Sequence, residues 1–248
     1  MSDLSFDAVI FDLDGVITRT AEVHAQAWKK IFDDYLRLRE KRDGEPFREF
    51  TLKADYLPYV DGKPRYNGVK SFLTSRGISI PMGDPTDSQD KETICGIGNR
   101  KNAVFRDIVE NEGVAVYEST IDLIHELKKN DIRVGCASSS KNCELILKAA
   151  KIDHLFEVRI DGIVSVDMGL KGKPEGDIFV TAARKIGGSP YKSVVVEDAK
   201  SGVQAGRNGG FGLVVGVARE KNASKLIRNG ADVVVYDLKH LSIDCIEK

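Results

Sequence analysis

The chain has few cysteines, and its charges nearly cancel. Four cysteines, Cys95, Cys136, Cys143 and Cys245, are scattered over 248 residues without a CxxC pair. That spacing supports neither a structural zinc site nor a disulfide framework. Cys136 stands in an apolar run and reads as a small core residue. Formal net charge is -1. No basic excess offers itself to nucleic acid, and no acidic tail forms an interaction arm. No apolar run reaches the roughly 18 residues of a spanning helix, so a membrane is not an expected partner. The opening MSDLSFDAVIFD lacks a basic stretch followed by a long apolar one, so no secretory signal is read and a cytoplasmic location is expected. Internal repeats and low-complexity tracts are also missing.

The short apolar runs that are present lack the strict period of two seen in half-solvated strands. They are AVIFDL (8–13), IRVGCAS (132–138), SVVVED (193–198), FGLVVGV (211–217) and ADVVVY (231–236). Val-rich and Ile-rich runs of this kind suit strands covered on both faces, as in a parallel sheet. Between them, residues 119–130, 140–151, 175–187 and 200–209 carry apolar positions at helical spacing, with Gly187 and Gly209 at C-cap positions. Strand–helix–strand alternation predicts a doubly wound α/β domain. Residues 20–114 break the pattern, because they contain helical pieces and polar turns but no buried strand. The expected organisation is an α/β core of residues 1–19 and 115–248, with a helical cap of residues 20–114 inserted after the first strand.

In an open parallel sheet, ligands bind at the carboxyl ends of the strands. The first strand runs out into Asp12-Leu13-Asp14-Gly15, the second into Ser138, Ser139 and Ser140, and SVVV into Glu197 and Asp198. A further segment before a helix brings Lys173-Pro174. Carboxylates gathered at one edge repel unless a cation joins them, and hard oxygen ligands suit Mg²⁺. The serine hydroxyls and Lys173 are donors for phosphate oxygens. Asp12 could then attack phosphorus as a nucleophile. Asp14, two residues along an extended chain and so on the same side, could move the proton.

Each motif also has an ordinary reading when taken alone. Asp-x-Asp-Gly is common in turns, SSSKN in helix N-caps, VVEDAKSG in solvated loops, and Lys-Pro at a helix start. Their joint placement at strand ends separates them from coincidence. His24, four residues before Trp28 on a helix, stays open between an apolar cover with a wet tip and a proton-transfer group. Tyr56, Tyr59 and Tyr66 stay open between sugar stacking and core packing.

The motifs FDLDGVITRT, CASSSKN, KGKPEGDIF and VVVEDAKSGVQAG resemble, in order, those of the haloacid dehalogenase superfamily of Mg²⁺-dependent phosphotransferases. Within it, DLDGVITRTAEVHAQAW, ASSSKN and the run Arg100-Lys101-Asn102 are similar to the β-phosphoglucomutase family. The resemblance implies a Rossmann-like core with an inserted helical cap. It implies Asp12 as nucleophile and Asp14 as acid/base. Asp12, the Asp14 main-chain carbonyl and Asp198 would hold Mg²⁺, with Glu197 beside them. Ser138, Ser139 and Lys173 would bind the transferring phosphate. Thr20, His24, Trp28, Arg65, Lys101, Asn102, Ser140, Lys141 and Asn142 would contact substrate or its second phosphate.

Arg19 stands where these mutases usually carry Asp, and the segment from Arg39 to Gly68 lengthens the cap. The longer form resembles a subgroup of β-phosphoglucomutase-family hydrolases associated with trehalose or α-glucan metabolism. The expectation is a monomeric sugar-phosphate mutase converting β-glucose 1-phosphate to glucose 6-phosphate. A sugar-phosphate phosphatase using the same motifs is the alternative.

Overall fold

The computed structural model describes residues 6–61, 63–219 and 222–241. Cys245 lies outside the described residues. In chain order the elements are β1 (Ala8–Phe11), α1 (Thr20–Asp43), a π-helical turn (Leu52–Tyr56) running into α2 (Leu57–Tyr59), α3 (Arg65–Ser75), α4 (Ile94–Glu112), α5 (Glu118–Lys129), β2 (Arg133–Ala137), α6 (Cys143–Ala149), β3 (Val158–Ile160), α7 (Gly162–Asp167), α8 (Asp177–Lys185), β4 (Ser193–Glu197), α9 (Lys200–Asn208), β5 (Leu213–Val217), α10 (Ala223–Arg228) and β6 (Val233–Val235). The chain divides into two compact units, Met1–Thr20 with Gly113–Lys248, and Ala21–Glu112.

The first unit holds a six-stranded, all-parallel sheet in the order β3-β2-β1-β4-β5-β6. This is the α/β Rossmann-like architecture that the Val-rich runs predict. Every residue of β1 and β4 is buried, because helices cover both faces of the sheet. Chain order reverses beside β1, so the crevice at the carboxyl ends of β1 and its two neighbours is the switch point where such sheets bind ligands. Register fixes what meets there. Phe11 pairs with Cys136 and with Val196, which sets Asp12 level with Glu197 and one step before Ser138.

The second unit contains helices and no strand among its described residues. On α1, Trp28, Ile31, Phe32, Tyr35 and Leu36 recur at helical spacing and form one apolar stripe. That stripe packs on Phe50, Val69, Phe72, Leu73, Ile94 and Ile97, with the Phe32 and Phe72 rings 4.1 Å apart. Tyr56 joins this core, and the Tyr66 hydroxyl donates to Asn99 Oδ1, 3.0 Å.

One local expectation needs correction. β3 is not among the expected strands, since Val158–Ile160 is short and carries Arg159. Residues 52–59 form π- and α-helical turns. Gly209 is the C-cap of α9 as expected, at φ −76°, and the left-handed residue follows at Gly210, φ 71°. Gly187 does take the left-handed conformation after α8, at φ 76°.

Candidate active site

β1 ends where its backbone still pairs, the Asp12 amide donating to the Val196 carbonyl (2.9 Å), so the Asp12 side chain is fixed at the edge of a rigid sheet. Beyond it the chain turns tightly. Gly15 adopts φ 80°, and a Cβ there would lie 1.9 Å from Asp198 Oδ2. Only glycine lets the turn and the Asp198 carboxylate approach so closely. Thr20 donates from its hydroxyl to Asp14 Oδ1, which anchors the second carboxylate of the motif.

Lys173 joins the edge from the loop before α8. Its ammonium donates to Asp12 Oδ1 (2.5 Å) and Glu197 Oε2 (2.6 Å). α8 begins only at Asp177, so Lys173–Pro174 lies in the loop and not in the first helical turn. Glu197 is fully engaged. Its other oxygen accepts from the Asp198 and Ala199 amides (3.2 and 3.0 Å). Gly202 on α9 makes room for it, since a Cβ there would lie 1.8 Å from Glu197 Oε2.

Asp12, Glu197 and Asp198 present carboxylate oxygens within 4.8 Å of one another, which is the donor set of a hard divalent cation. Burial and the neighbouring Glu197 charge push Asp12 up to about 8 against the pull of Lys173, and they raise Asp198 as well. Burial opposes the Lys173 charge, yet Asp12 and Glu197 hold its pKa above the usual lysine value. Three carboxylates around one lysine leave a deficit of positive charge at a buried edge.

Ser138, 1% exposed, follows β2, and its Oγ accepts from the Ser140 amide (3.1 Å). Ser140 Oγ in turn accepts from the Asn142 amide (3.1 Å). Ser139 and Lys141 are exposed on this loop, which packs against Gly162; a Cβ there would lie 2.5 Å from the Ser139 carbonyl. Asn142 is buried at the start of α6.

The remaining candidates belong to the helical unit. Lys101, on α4, is 5% exposed and places its ammonium 2.6 Å from His24 Nδ1. An ammonium has only donors, so Nδ1 accepts and the ring proton sits on Nε2. Burial, then Lys101 and Arg65, hold His24 down at about 3, so it is neutral at physiological pH. The His24 ring stacks on Phe105, 4.3 Å between centroids. Arg65 donates to Asn102 Oδ1 (2.8 Å), and burial lowers its pKa. Trp28 is 5% exposed, stacks on Phe32 and borders the Lys101 ammonium at 5.2 Å from the ring centre. Its position is in the core of the unit.

Two residues that carry no motif in the sequence reach the sheet edge. Arg219 donates to the Gly15 carbonyl, and Asn222 to the Asp198 carbonyl. A signal for the first exists, because Arg219 follows β5 almost as closely as Asp12 follows β1.

The haloacid dehalogenase-like hydrolase family matches residues 6–210. A β-phosphoglucomutase of Mycobacterium bovis is 44% identical over 237 residues, covering 94% of this chain and 90% of its own. A β-phosphoglucomutase of Bacillus subtilis is 30% identical over 242 residues, covering 97% and 94%. In fold, the chain is similar to a crystal structure of a HAD family hydrolase from Deinococcus radiodurans R1 with bound phosphate and sodium. The TM-score is 0.72 at 24% identity, covering 96% of this chain and 94% of that one.

Proposed function

The chain belongs to the haloacid dehalogenase-like hydrolase family, in its β-phosphoglucomutase-like group, and from that premise we propose that it moves a phosphoryl group on a sugar phosphate by way of Asp12. The observation that carries this reading is the buried Asp12 at the exit of β1. It is bonded to Lys173, and Asp14 stands two residues on in the grip of Thr20.

Asp12 Oδ attacks phosphorus, the P–O bond to the sugar breaks, and the leaving oxygen takes its proton from Asp14. A second sugar hydroxyl then attacks the aspartyl-phosphate and returns a proton to Asp14, so Asp12 is freed. Lys173 and the Ser138 hydroxyl orient the transferring phosphate, with the exposed Ser139 next to Ser138 on the loop after β2. Thr20 holds Asp14 in place. Ser140, Lys141 and Asn142 are assigned to the substrate. In the helical unit, Arg65 and Lys101 supply the cations for its second phosphate, with His24 and Asn102 setting their positions.

The donor set fits Mg²⁺. Asp12, Asp198 and the Asp14 main-chain carbonyl are assigned as its ligands. Glu197 already has both oxygens occupied, by Lys173 and by two amides, so its part is to hold Lys173. Bound Mg²⁺ offsets the charge of the transferring group.

The substrate assignment is β-glucose 1-phosphate, converted to glucose 6-phosphate. A phosphatase, in which water takes the place of the second hydroxyl, is the reading that the hydrolase character of the family favours. The test is one reaction of purified protein with Mg²⁺, β-glucose 1-phosphate and a trace of glucose 1,6-bisphosphate. Glucose 6-phosphate accumulating with little free phosphate supports the mutase. Free phosphate without isomerisation overturns it in favour of the phosphatase.

A further inference from the structure

The two loops that carry the assigned Mg²⁺ ligands are both tied to a third loop, between β5 and α10, which contributes no ligand. Arg219 on that loop donates from Nε to the Gly15 carbonyl, 2.9 Å. Three residues later, Asn222 donates from Nδ2 to the Asp198 carbonyl, 3.3 Å. Gly15 and Asp198 are themselves in close contact, as the 1.9 Å approach of an added Cβ shows.

The face of the Arg219 guanidinium is also used. Its Cζ lies 3.6 Å from the centre of the Tyr117 ring, and Arg19 lies 5.0 Å from the same ring. Tyr117 is anchored by its amide to the Ile17 carbonyl (2.9 Å), and the Arg19 amide donates to Ala115 (2.8 Å). Arg219 thus couples the 15–19 segment, the 115–117 segment and the catalytic turn through one planar group. A lysine ammonium could not donate sideways to a carbonyl while stacking flat on a ring.

The arrangement leaves polar atoms unmatched. Arg219 Nη2 and Asn222 Oδ1 are buried with no hydrogen-bond partner among the described residues. Unpaired buried polar atoms are uncommon and call for an explanation. A tether selected for where it holds two loops, not for its own hydrogen-bond count, supplies one.

We propose that Arg219, assisted by Asn222, is a positioning residue for the cation-binding edge: it fixes the Asp12–Gly15 turn against Asp198 so that the ligand oxygens are gathered before the ion arrives. The proposal rests on the assignment of Mg²⁺ to Asp12, the Asp14 carbonyl and Asp198. Groups behind metal ligands act by orienting them, and their loss typically weakens metal binding about 10- to 100-fold.

The test is Mg²⁺ affinity by calorimetric titration of the wild type, Arg219→Gln, Arg219→Lys and Asn222→Ala, without substrate. Thermal unfolding in EDTA reports the fold of each, and kcat is taken at saturating Mg²⁺. Arg219→Gln is expected to weaken Mg²⁺ by about 10-fold or more. Its kcat at saturating Mg²⁺ should recover most of the wild-type value. Arg219→Lys, which keeps the charge but not the planar fork, should behave like Arg219→Gln. Asn222→Ala should show a smaller loss in the same direction, and it decides the question if the Arg219 variants do not fold. Wild-type Mg²⁺ affinity in folded Arg219→Gln, or in Asn222→Ala if that is the variant that folds, would overturn the proposal. A wild-type chain that binds no Mg²⁺ would instead overturn the metal assignment beneath it.

Discussion

In the sheet unit, Lys173 is buried between the Asp12 and Glu197 carboxylates; in the helical unit, Lys101 is buried against a histidine and two aromatic rings. Burial disfavours the cation in both places. Around Lys173, opposite charges reverse that effect and raise its pKa. Around His24, the Lys101 and Arg65 charges add to burial and keep the imidazole neutral. The sheet edge therefore concentrates negative charge, where a nucleophile and a cation belong. In the helical unit, Lys101 and Arg65 are the two cations that act on His24.

The comparison can be broken most strongly at Asp12. Asp12→Asn should lower kcat by about 10⁴-fold or more in a phosphate-release or glucose 6-phosphate assay, as loss of a covalent nucleophile does. Full activity in Asp12→Asn would remove the sheet edge from the chemistry.

Glycines give a contrast between the units. Gly202→Ala forces a Cβ to 1.8 Å from Glu197 Oε2, which must displace the Lys173 pair. Misplacement on that scale should lower kcat by about 10²-fold. Gly68 on α3 has Val60 Cγ1 at 3.4 Å and Trp28 at 3.6 Å from an added Cβ, ordinary contact distances. Gly68→Ala should raise stability by roughly 0.5–1 kcal/mol, since glycine is unfavourable within a helix. Urea unfolding monitored at Trp28 measures it, and a loss of stability would show that the helical core is tighter than its contacts indicate.

His24 gives an effect of intermediate size. Its folded pKa of about 3 lies below the unfolded value of 6.5, so the unfolded chain binds the extra proton between those limits. The stability that comes from keeping it neutral is complete above pH 6.5 and is lost as pH falls. Between pH 6.5 and 5 the loss amounts to up to about 2 kcal/mol. His24→Gln should flatten that segment of the stability–pH curve. An unchanged slope would mean that His24 is not held neutral by burial and the Lys101 and Arg65 charges.

Much of this architecture can be read in the chain, for physical reasons. β1, β2, β4 and β5 announce themselves because strands covered on both faces must be largely apolar, and the edge strand β6 shows as a Val run although Val233 is exposed. β3 does not, because three residues including Arg159 leave no run to see. Asp12 and Glu197 stand out because a carboxylate directly after a buried strand, or at its last residue, is unusual. Their shared contact with Lys173 is invisible in sequence. Residues 161 and 24 positions apart meet only once the sheet register is set. Trp28 looks like a site residue beside His24, whereas the period of α1 places it on the apolar stripe. Arg219 escapes notice because an arginine after a strand, taken alone, is an ordinary surface residue.

The central claim is that Asp12 accepts the phosphoryl group. The most direct measurement is mass spectrometry of acid-quenched protein after brief exposure to Mg²⁺ and glucose 1,6-bisphosphate. One added phosphate is expected on the peptide containing Asp12, absent from Asp12→Asn. Phosphate found on another residue, such as Ser138, or turnover by a chain that is never phosphorylated, would contradict it.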